Sequence, residues 1–162
     1  MSLRKKPWNR ISQPVYSVCS QDPRHGFNMN ICTYVTAVSL HPKRFIVAVY
    51  EGTRTLENLQ QDPHFVLQLL AEDQYPLVRL LGKQSGRFVS KPARLGNRHP
   101  LCTWNGFSCL AQSLALIELR ALAQWPGGDH RLFFCEVLAY RNLRDGRELQ
   151  TGDLRARGII TA

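Results

Sequence analysis

Residues 26–50 read GFNMNICTYVTAVSLHPKRFIVAVY, and this stretch carries a strong structural signal. β-branched and aromatic side chains dominate residues 31–40 and 44–50, and such segments are typical of β-strands. His41-Pro42-Lys43 between them has the composition of a turn. The pattern therefore predicts two consecutive strands, and we expect the second to be buried on both faces.

Segments of similar composition lie on both sides of this stretch. They predict strands over residues 15–19, which lead into a turn cluster at 21–26, over 64–70, and over 132–140 after a turn at 127–129. After Gly52 the apolar period becomes helical. Thr53 or Thr55 is expected to cap a short helix that ends near Gln61, with Leu56 and Leu59 facing inward.

Other regions are less determined. Asp73 is expected to cap a second helix that carries Leu77, Leu80 and Leu81, whereas residues 83–107 show a pattern only at 101–107, which should lead into a strand. Residues 110–125 fit both a helix and a strand, and intrinsic propensity favours the helix. Several strands with few helices predict a barrel or sandwich with helical decoration. No repeat or linker divides residues 1–162, which are expected to form one domain.

Composition excludes several classes of protein. With 162 residues, 44% of them hydrophobic and 20% charged, the chain has the profile of a folded globular domain. It holds no run of 18 apolar residues and no apolar segment behind its basic N-terminus, so we expect neither a transmembrane helix nor a secretory signal, and a cytoplasmic location.

Cysteine and histidine offer little for a metal centre or a disulfide framework. The five cysteines include no C-x-x-C pair, and most are expected to be small buried side chains in a reducing compartment. The five histidines are scattered along the chain, so no metal site is expected: His25, His41, His64, His99 and His130.

The net charge of +9 indicates anionic partners. Acidic residues are absent between Asp73 and Glu118, and six basic residues fall in that window at spacings that would align several of them on one helical face: Arg79, Lys83, Arg87, Lys91, Arg94 and Arg98. This segment is either a solvated helix face or a site for a negatively charged nucleotide or partner. A basic nucleic-acid-binding domain is a further alternative, although no recognition motif supports it.

The chain lacks the common dinucleotide, P-loop, zinc-protease and hydrolase motifs. Two polar segments remain within apolar surroundings. Asn28-Met29-Asn30, followed by Ile31-Cys32-Thr33, can offer backbone groups to the edge of a planar heterocycle. Gly52-Thr53-Arg54-Thr55 lies at a strand-to-helix junction, where free N–H groups, hydroxyls and a guanidinium suit a phosphate. Plain helix capping by the two threonines is the alternative.

These segments, in their order, resemble the flavin reductase family. The resemblance rests on G-x-N-x-N-x-x-T-x-x-T-A-V-S-x-x-P (26–42), T-R-T-L-E-N-L (53–59), F-V-L-Q-L-L-A-E (65–72), and Gly128-Asp129-His130 ahead of the last predicted strand, and it covers about residues 14–142. It implies a mainly β fold, an antiparallel Greek-key split β-barrel with a few flanking helices. It also implies that residues 112–123 are a strand, against their propensity.

The resemblance also implies a site and a function. Asn30, Ile31, Cys32 and Thr33 match the family's segment along the isoalloxazine edge. Ser39 matches the serine ahead of the loop proline. Gly52, Thr53, Arg54 and Thr55 match the phosphate-binding turn, and His130 the histidine near the flavin and the nicotinamide donor.

The function implied is that of an NAD(P)H-dependent flavin reductase, a homodimer that binds FMN, with FAD as a possible alternative. Its electrons would pass to free flavin, oxygen or a partner such as a monooxygenase. A flavin-binding electron carrier or store without NAD(P)H activity is the main alternative.

Overall fold

A computed structural model describes residues 5–24 and 26–161. His25, one of the histidines considered above, lies outside them. The described residues form the strands β1 (Tyr16–Asp22), β2 (Gly26–Cys32), β3 (Val35–Ser39), β4 (Arg44–Tyr50), β5 (His64–Leu69), β6 (Leu101–Trp104), β7 (Phe107–Leu110), β8 (Ala115–Pro126) and β9 (His130–Asn142). The α-helices are α1 (Arg54–Gln61), α2 (Leu77–Lys83), α3 (Lys91–Leu95) and α4 (Thr151–Ala156), with 3₁₀ turns at 7–9, 72–74 and 96–98. None of the described helices has the length and apolar character needed to cross a membrane.

Seven strands form one antiparallel sheet in the order β2-β1-β5-β8-β9-β4-β3, and β6 and β7 form a separate hairpin. The mainly β, antiparallel prediction is confirmed, but closure into a barrel is not, because β2 and β3 remain edge strands. The sheet curls enough for Cys32 Sγ, at the end of β2, to donate to the Ala48 carbonyl in β4 at 3.3 Å. This contact brings the end of β2 beside β4 without a continuous ladder.

The single strand predicted over residues 31–40 is wrong. The chain forms two strands there, with a break at Thr33 and Tyr34. β2 pairs with β1 as far as Cys32, whereas β3 pairs with β4 from Val35 onward, at the opposite edge of the sheet. An unbroken β-rich composition does not reveal that the strand changes its partner.

Strand β4 has the predicted bounds, but it is buried only at Val47, Ala48 and Val49. Its other residues are half-buried, apart from Tyr50, which is exposed. The expectation of burial on both faces therefore holds only for the middle of the strand. The exposed end borders a cavity described below.

Residues 110–125 show how tertiary pairing decides an ambiguous segment. The helix favoured by propensity is wrong, because β8 lies between β5 and β9. It pairs with β5 over residues 115–120 and with β9 over residues 115–126. Its Leu116 and Leu119 are fully buried. Cross-strand pairing on two sides stabilises the strand more than intrinsic preference stabilises a helix.

The first predicted helix is confirmed and the start of the second is wrong. Thr53 caps α1, and Leu56 and Leu59 are buried. Helix α2 begins only after Pro76, and Asp73 lies in a 3₁₀ turn where its carboxylate pairs with Arg144. Charged and polar residues near a helix start mark the region of the cap but not the capping residue.

The core has two parts. One part is enclosed by the curled sheet and α1 and includes Val18, Val47, Phe65 and Phe133. The other lies on the outer side of β1, β2 and β5, where α2, α3, the β6–β7 hairpin and the C-terminal residues cover it. Four of the five free cysteines are buried and Cys102 is half-buried, as expected for small packing groups.

Candidate functional site

A cavity of about 280 Å³ lies where the end of β2 approaches β4 and the start of β9. Its lining joins apolar side chains, aromatic rings and a stretch of edge-strand backbone: Val18, Asn30, Ile31, Cys32, Thr33, Tyr34, Ala48, Val49, Tyr50, Thr55 and His130. Because β2 pairs only with β1, one edge of its backbone is free of the ladder. The Ile31 N–H donates to the side-chain oxygen of the preceding residue, Asn30, at 3.1 Å.

Three aromatic rings stand at the mouth of this cavity. The β4–β9 register places Tyr50 directly opposite His130, and their ring centroids lie 5.2 Å apart. The centroid of the Tyr34 ring lies 5.1 Å from that of the imidazole. His130 Nδ1 is 2.6 Å from Asp129 Oδ1, so the ring is held by two tyrosines and one carboxylate.

Cys32 lines the cavity as an inert side chain. Its Sγ donates to the Ala48 carbonyl at 3.3 Å, and burial raises the pKa of the thiol to about 12. The nucleophilic form of cysteine is the thiolate, which is scarce at neutral pH when the pKa is this high. The geometry therefore supports a packing role for Cys32.

A second cavity, of about 350 Å³, adjoins the first, and four residues line both: Asn30, Ile31, Tyr50 and Thr55. Two walls border it. The first wall is the turn at residues 52–55, and the second is formed by residues 82–86 together with Lys91. The two cavities thus form one groove with an apolar, aromatic end and a polar, cationic end.

The threonines of the first wall are used within the protein. The Thr53 hydroxyl donates to the Tyr50 carbonyl at 2.9 Å and accepts from the Leu56 N–H at 3.2 Å, as a helix cap does. The Thr55 hydroxyl is buried and accepts from Asn28 Nδ2 at 3.0 Å. Gly52 adopts a φ of 78°, a conformation that favours glycine, where the chain turns into α1.

The guanidinium of Arg54 already has anionic partners. It lies 3.1 Å from Glu57 Oε2 through Nη1, and its buried Nε lies 3.6 Å from Asp22 Oδ2, too far for a hydrogen bond. Glu57 also pairs with Arg87. Arg54 lines the groove, but its charge is largely balanced before any ligand binds.

The second wall contains a buried lysine. Lys91 is only 2% exposed, and its ammonium donates to the Leu81 carbonyl at 2.7 Å. Burial lowers the pKa of this ammonium to about 8. Among the residues that the structure describes, no carboxylate forms an ion pair with it.

The six basic residues of the 79–98 window do not share a helical face. The segment is broken between α2 and α3, where residues 84–90 are not helical. Lys91 is buried, whereas Arg79, Lys83, Arg87 and Arg94 are exposed. The expected alignment on one helical face is therefore wrong, because α2 ends at Lys83 and α3 begins only at Lys91, with Pro92 in its first turn.

The groove brings together most of the site residues predicted from the sequence. Asn30–Thr33 and His130 line the first cavity, and Gly52–Thr55 line the second. Ser39 ends β3 opposite Arg44 and lines neither of them. The sequence prediction missed Tyr34, Tyr50 and Lys91; only Lys91 carried a signal, as one member of the basic window.

The residues present suit a flavin mononucleotide. A planar ring fits the end lined by Val49, Tyr34 and the free backbone edge of β2. A phosphate fits the other end, where the described residues offer no carboxylate to pair with the Lys91 ammonium. The two volumes together fall in the range of roughly 300–1,000 Å³ that small-molecule sites occupy.

Comparison with known proteins identifies the family. The model of the flavin reductase like domain matches residues 8–155. The reductase component of an FADH(2)-dependent resorcinol hydroxylase from Rhizobium sp. is 30% identical over 125 residues, which are 77% of this chain and 67% of that protein. A Nostoc sp. protein provisionally named diflavin flavoprotein A 1 is 30% identical over 134 residues. This match spans 82% of the chain but only 23% of the Nostoc protein.

A solved structure agrees in fold. The FMN-binding protein of Thermus thermophilus, crystallised with 1-cyclohex-2-enone, superposes with a TM-score of 0.74 at 24% identity. The match covers 88% of this chain and 80% of that one.

Proposed function

Because the chain belongs to the flavin reductase like domain family, we propose that it is an oxidoreductase that binds FMN and transfers electrons from NAD(P)H to flavin. The observation that carries the proposal is the continuous groove, with an aromatic and apolar cavity at one end and a polar, cationic cavity at the other. When bound, the flavin would supply the two-electron redox chemistry, and the protein would supply position and electrostatics. FAD, which shares the ring and the first phosphate, is the alternative cofactor.

The two ends of the groove would bind different parts of the flavin, one the ring and the other the phosphate. Asn30–Thr33 would contact the edge of the flavin ring through the free backbone edge of β2. Gly52–Thr55 would face the phosphate with the N–H groups at the start of α1, since the threonine hydroxyls and Arg54 already have partners. Ser39 lines neither cavity, and we assign it no contact with the flavin.

His130 would orient the nicotinamide donor. It stands at the mouth of the ring cavity, and its side chain is 20% exposed. Tyr34, Tyr50 and Asp129 all contact the imidazole, so these contacts constrain its position before a donor binds. Such pre-organisation lowers the entropic cost of aligning a donor with an acceptor.

A second copy of the chain would complete the site. Alternation along β4 points Phe45, Val47 and Val49 into the core, so the outward residues are Ile46, Ala48 and Tyr50. On the same outer face, Phe134 pairs opposite Ile46 and lies 6.3 Å from the exposed Trp125. This apolar face adjoins the ring cavity through Ala48 and Tyr50, so one isologous contact would cover both.

One relative supports a proposal about the biological partner. The Rhizobium protein is the reductase component of a hydroxylase that depends on reduced flavin. We propose that this chain likewise delivers reduced flavin to a partner oxygenase. The free cysteines fit a reducing compartment such as the cytoplasm.

An absorbance titration with FMN, followed by anaerobic addition of NADH or NADPH, tests the proposal. We expect bound FMN to give an absorbance band in the range of about 300–550 nm. This band should bleach when the donor is added, because the donor reduces the flavin. His130→Ala should raise the KM for the donor by about 10-fold while FMN still binds. His64→Ala is the matched control, since His64 pairs with Asp62 in the same way but lines neither cavity.

Each other outcome has a definite meaning. A bound band that neither donor bleaches would favour the electron carrier or flavin store. Absence of any FMN or FAD binding would contradict the proposal.

A further inference from the structure

Lys91 lies in the wall that separates the phosphate end of the groove from a third cavity. That cavity, of about 310 Å³, is bordered by Asp22, Phe27 and residues 86–92. Asn28, Gly86 and Lys91 line it as well as the second cavity. Lys91 therefore borders two cavities while being almost wholly buried itself.

Burying an ammonium ion is unfavourable unless something compensates its charge. The two arginines nearby have compensation within the protein, since Arg54 pairs with Asp22 and Glu57 and Arg87 pairs with Glu57. Lys91 has none among the described residues. The lowered pKa of Lys91 agrees with this, because burial disfavours the charged ammonium and no neighbouring carboxylate of the described residues offsets the effect.

The hydrogen bonds of Lys91 are also incomplete. An ammonium carries three N–H donors. The Leu81 carbonyl accepts one of them, at 2.7 Å, and the described residues supply no acceptor for the other two. A phosphate in the adjoining cavity has both the charge and the oxygens to satisfy them.

A purely structural role explains only part of this arrangement. Leu81 lies in the last turn of α2, where its carbonyl needs a donor, and a lysine can cap such a carbonyl. A neutral donor would do the same without the cost of burying a charge. The charge therefore requires its own explanation.

We propose that Lys91 binds the phosphate of the flavin, and that the ligand supplies the counter-ion that the protein does not. This inference rests on the proposed flavin site and names the residue that makes the site prefer phosphorylated flavins to riboflavin. The Gly52–Thr55 turn contributes N–H groups, and Lys91 contributes the charge.

Binding of FMN and of riboflavin to the same variants tests the inference, since the two ligands differ only by the phosphate. Lys91→Met removes the charge and keeps the length of the side chain. It should weaken FMN binding by about 10- to 100-fold, as expected for a charge-assisted hydrogen bond in a buried site, and change riboflavin binding less than about threefold. Lys91→Arg, which keeps the charge, should restore part of the preference for FMN.

Lys83→Met is the matched control, because it removes the same charge from the exposed rim of the same cavity. It should change FMN binding by less than about threefold, since solvent screens exposed charges. The ³¹P NMR signal of bound FMN adds a second readout, which should shift in Lys91→Met and not in Lys83→Met.

The outcomes separate this inference from the proposed function. A selective loss of FMN affinity supports the phosphate contact. An equal loss for both flavins, accompanied by a lower Tm, would show that Lys91 only caps α2 and would overturn the inference, as would unchanged FMN binding. If the unmodified protein binds neither flavin, the proposed function fails first, and this inference falls with it.

Discussion

The two walls of the phosphate cavity differ in how their polar groups are used. In the first wall, at Gly52–Thr55, the threonine hydroxyls serve a cap and a buried hydrogen bond, and the arginine is neutralised by carboxylates. In the second wall the cation of Lys91 has no such partner among the described residues. The residue types of Gly52–Thr55 suggest phosphate binding, but their side chains mainly stabilise the fold. The charge available to a ligand comes instead from Lys91, in a segment without a recognisable sequence motif.

The largest effect is expected where the two walls touch. A Cβ added at Gly86 would overlap the side-chain oxygen of Asn28. The Nδ2 of the same amide donates to the buried Thr55 hydroxyl of the first wall. Gly86→Ala should therefore separate the walls, weaken FMN and riboflavin binding together by more than about 30-fold, and lower the free energy of unfolding by about 2–3 kcal/mol.

Flavin titration and urea unfolding measure these two effects. Ser85→Ala, which trims an exposed side chain beside Gly86, is the control and should change little. A Gly86→Ala protein that binds both flavins normally would show that the walls are not mechanically linked.

Arg54→Met addresses the first wall alone. It removes the guanidinium that lies near the buried Asp22 and pairs with Glu57, and it should lower the free energy of unfolding by about 1 kcal/mol. The ratio of FMN to riboflavin affinity should change by less than about threefold, far less than in Lys91→Met. A larger change in that ratio would show that Arg54 binds the phosphate. It would contradict the conclusion that the phosphate-binding cation lies in the second wall.

The pH dependence of FMN binding sharpens the same comparison. The pKa of Lys91 is lowered to about 8, so this ammonium loses its charge as the pH rises from 7 to about 9.5, whereas a phosphate monoester is already a dianion above about pH 7. FMN affinity should fall over this range relative to riboflavin affinity, and the fall should vanish in Lys91→Met.

Other charged groups line the same spaces and need controls. The other charged side chains of these cavities are Asp22, Glu51, Arg54 and Arg87, together with Lys83, for which Lys83→Met is the control. Riboflavin binding accounts for groups at the ring end. A constant ratio of FMN to riboflavin affinity from pH 7 to about 9.5 would contradict the role of Lys91.

The smallest effect is expected at Thr53. Thr53→Ala removes the α1 cap and should lower the free energy of unfolding by about 1 kcal/mol, while Thr53→Ser should retain most of it. FMN affinity should change by less than about fivefold, because the hydroxyl is already bound to Tyr50 and Leu56. A much larger loss confined to FMN would place this hydroxyl on the phosphate.

Much of the fold followed from local composition. Strand β4 and helix α1 were predicted with nearly their observed bounds, because β-branched density and a threonine cap are local signals. The break between β2 and β3 and the strand character of β8 depend on which strands pair, and local composition does not encode that choice. The resemblance to the family, rather than propensity, predicted β8 correctly.

The site divides in the same way. His130 and Asn30–Thr33 were predicted from a resemblance that fixes their order, and the structure brings them to one cavity. Lys91 could not be distinguished from its basic neighbours, because its burial arises from the packing of two short helices against β2. The carboxylate partners of Arg54 were equally hidden, since Asp22 lies 32 positions before it in the sequence.

A crystal structure of the protein with FMN tests the central claim most directly. We expect the flavin ring to lie against Asn30–Thr33, with His130 at its exposed face. The phosphate should lie within about 3 Å of the Lys91 ammonium, the distance of a charge-assisted hydrogen bond. A phosphate bound by the Arg54 guanidinium, with Lys91 still on Leu81 alone, would contradict the assignment of the second wall. A flavin bound outside the groove would contradict the site itself.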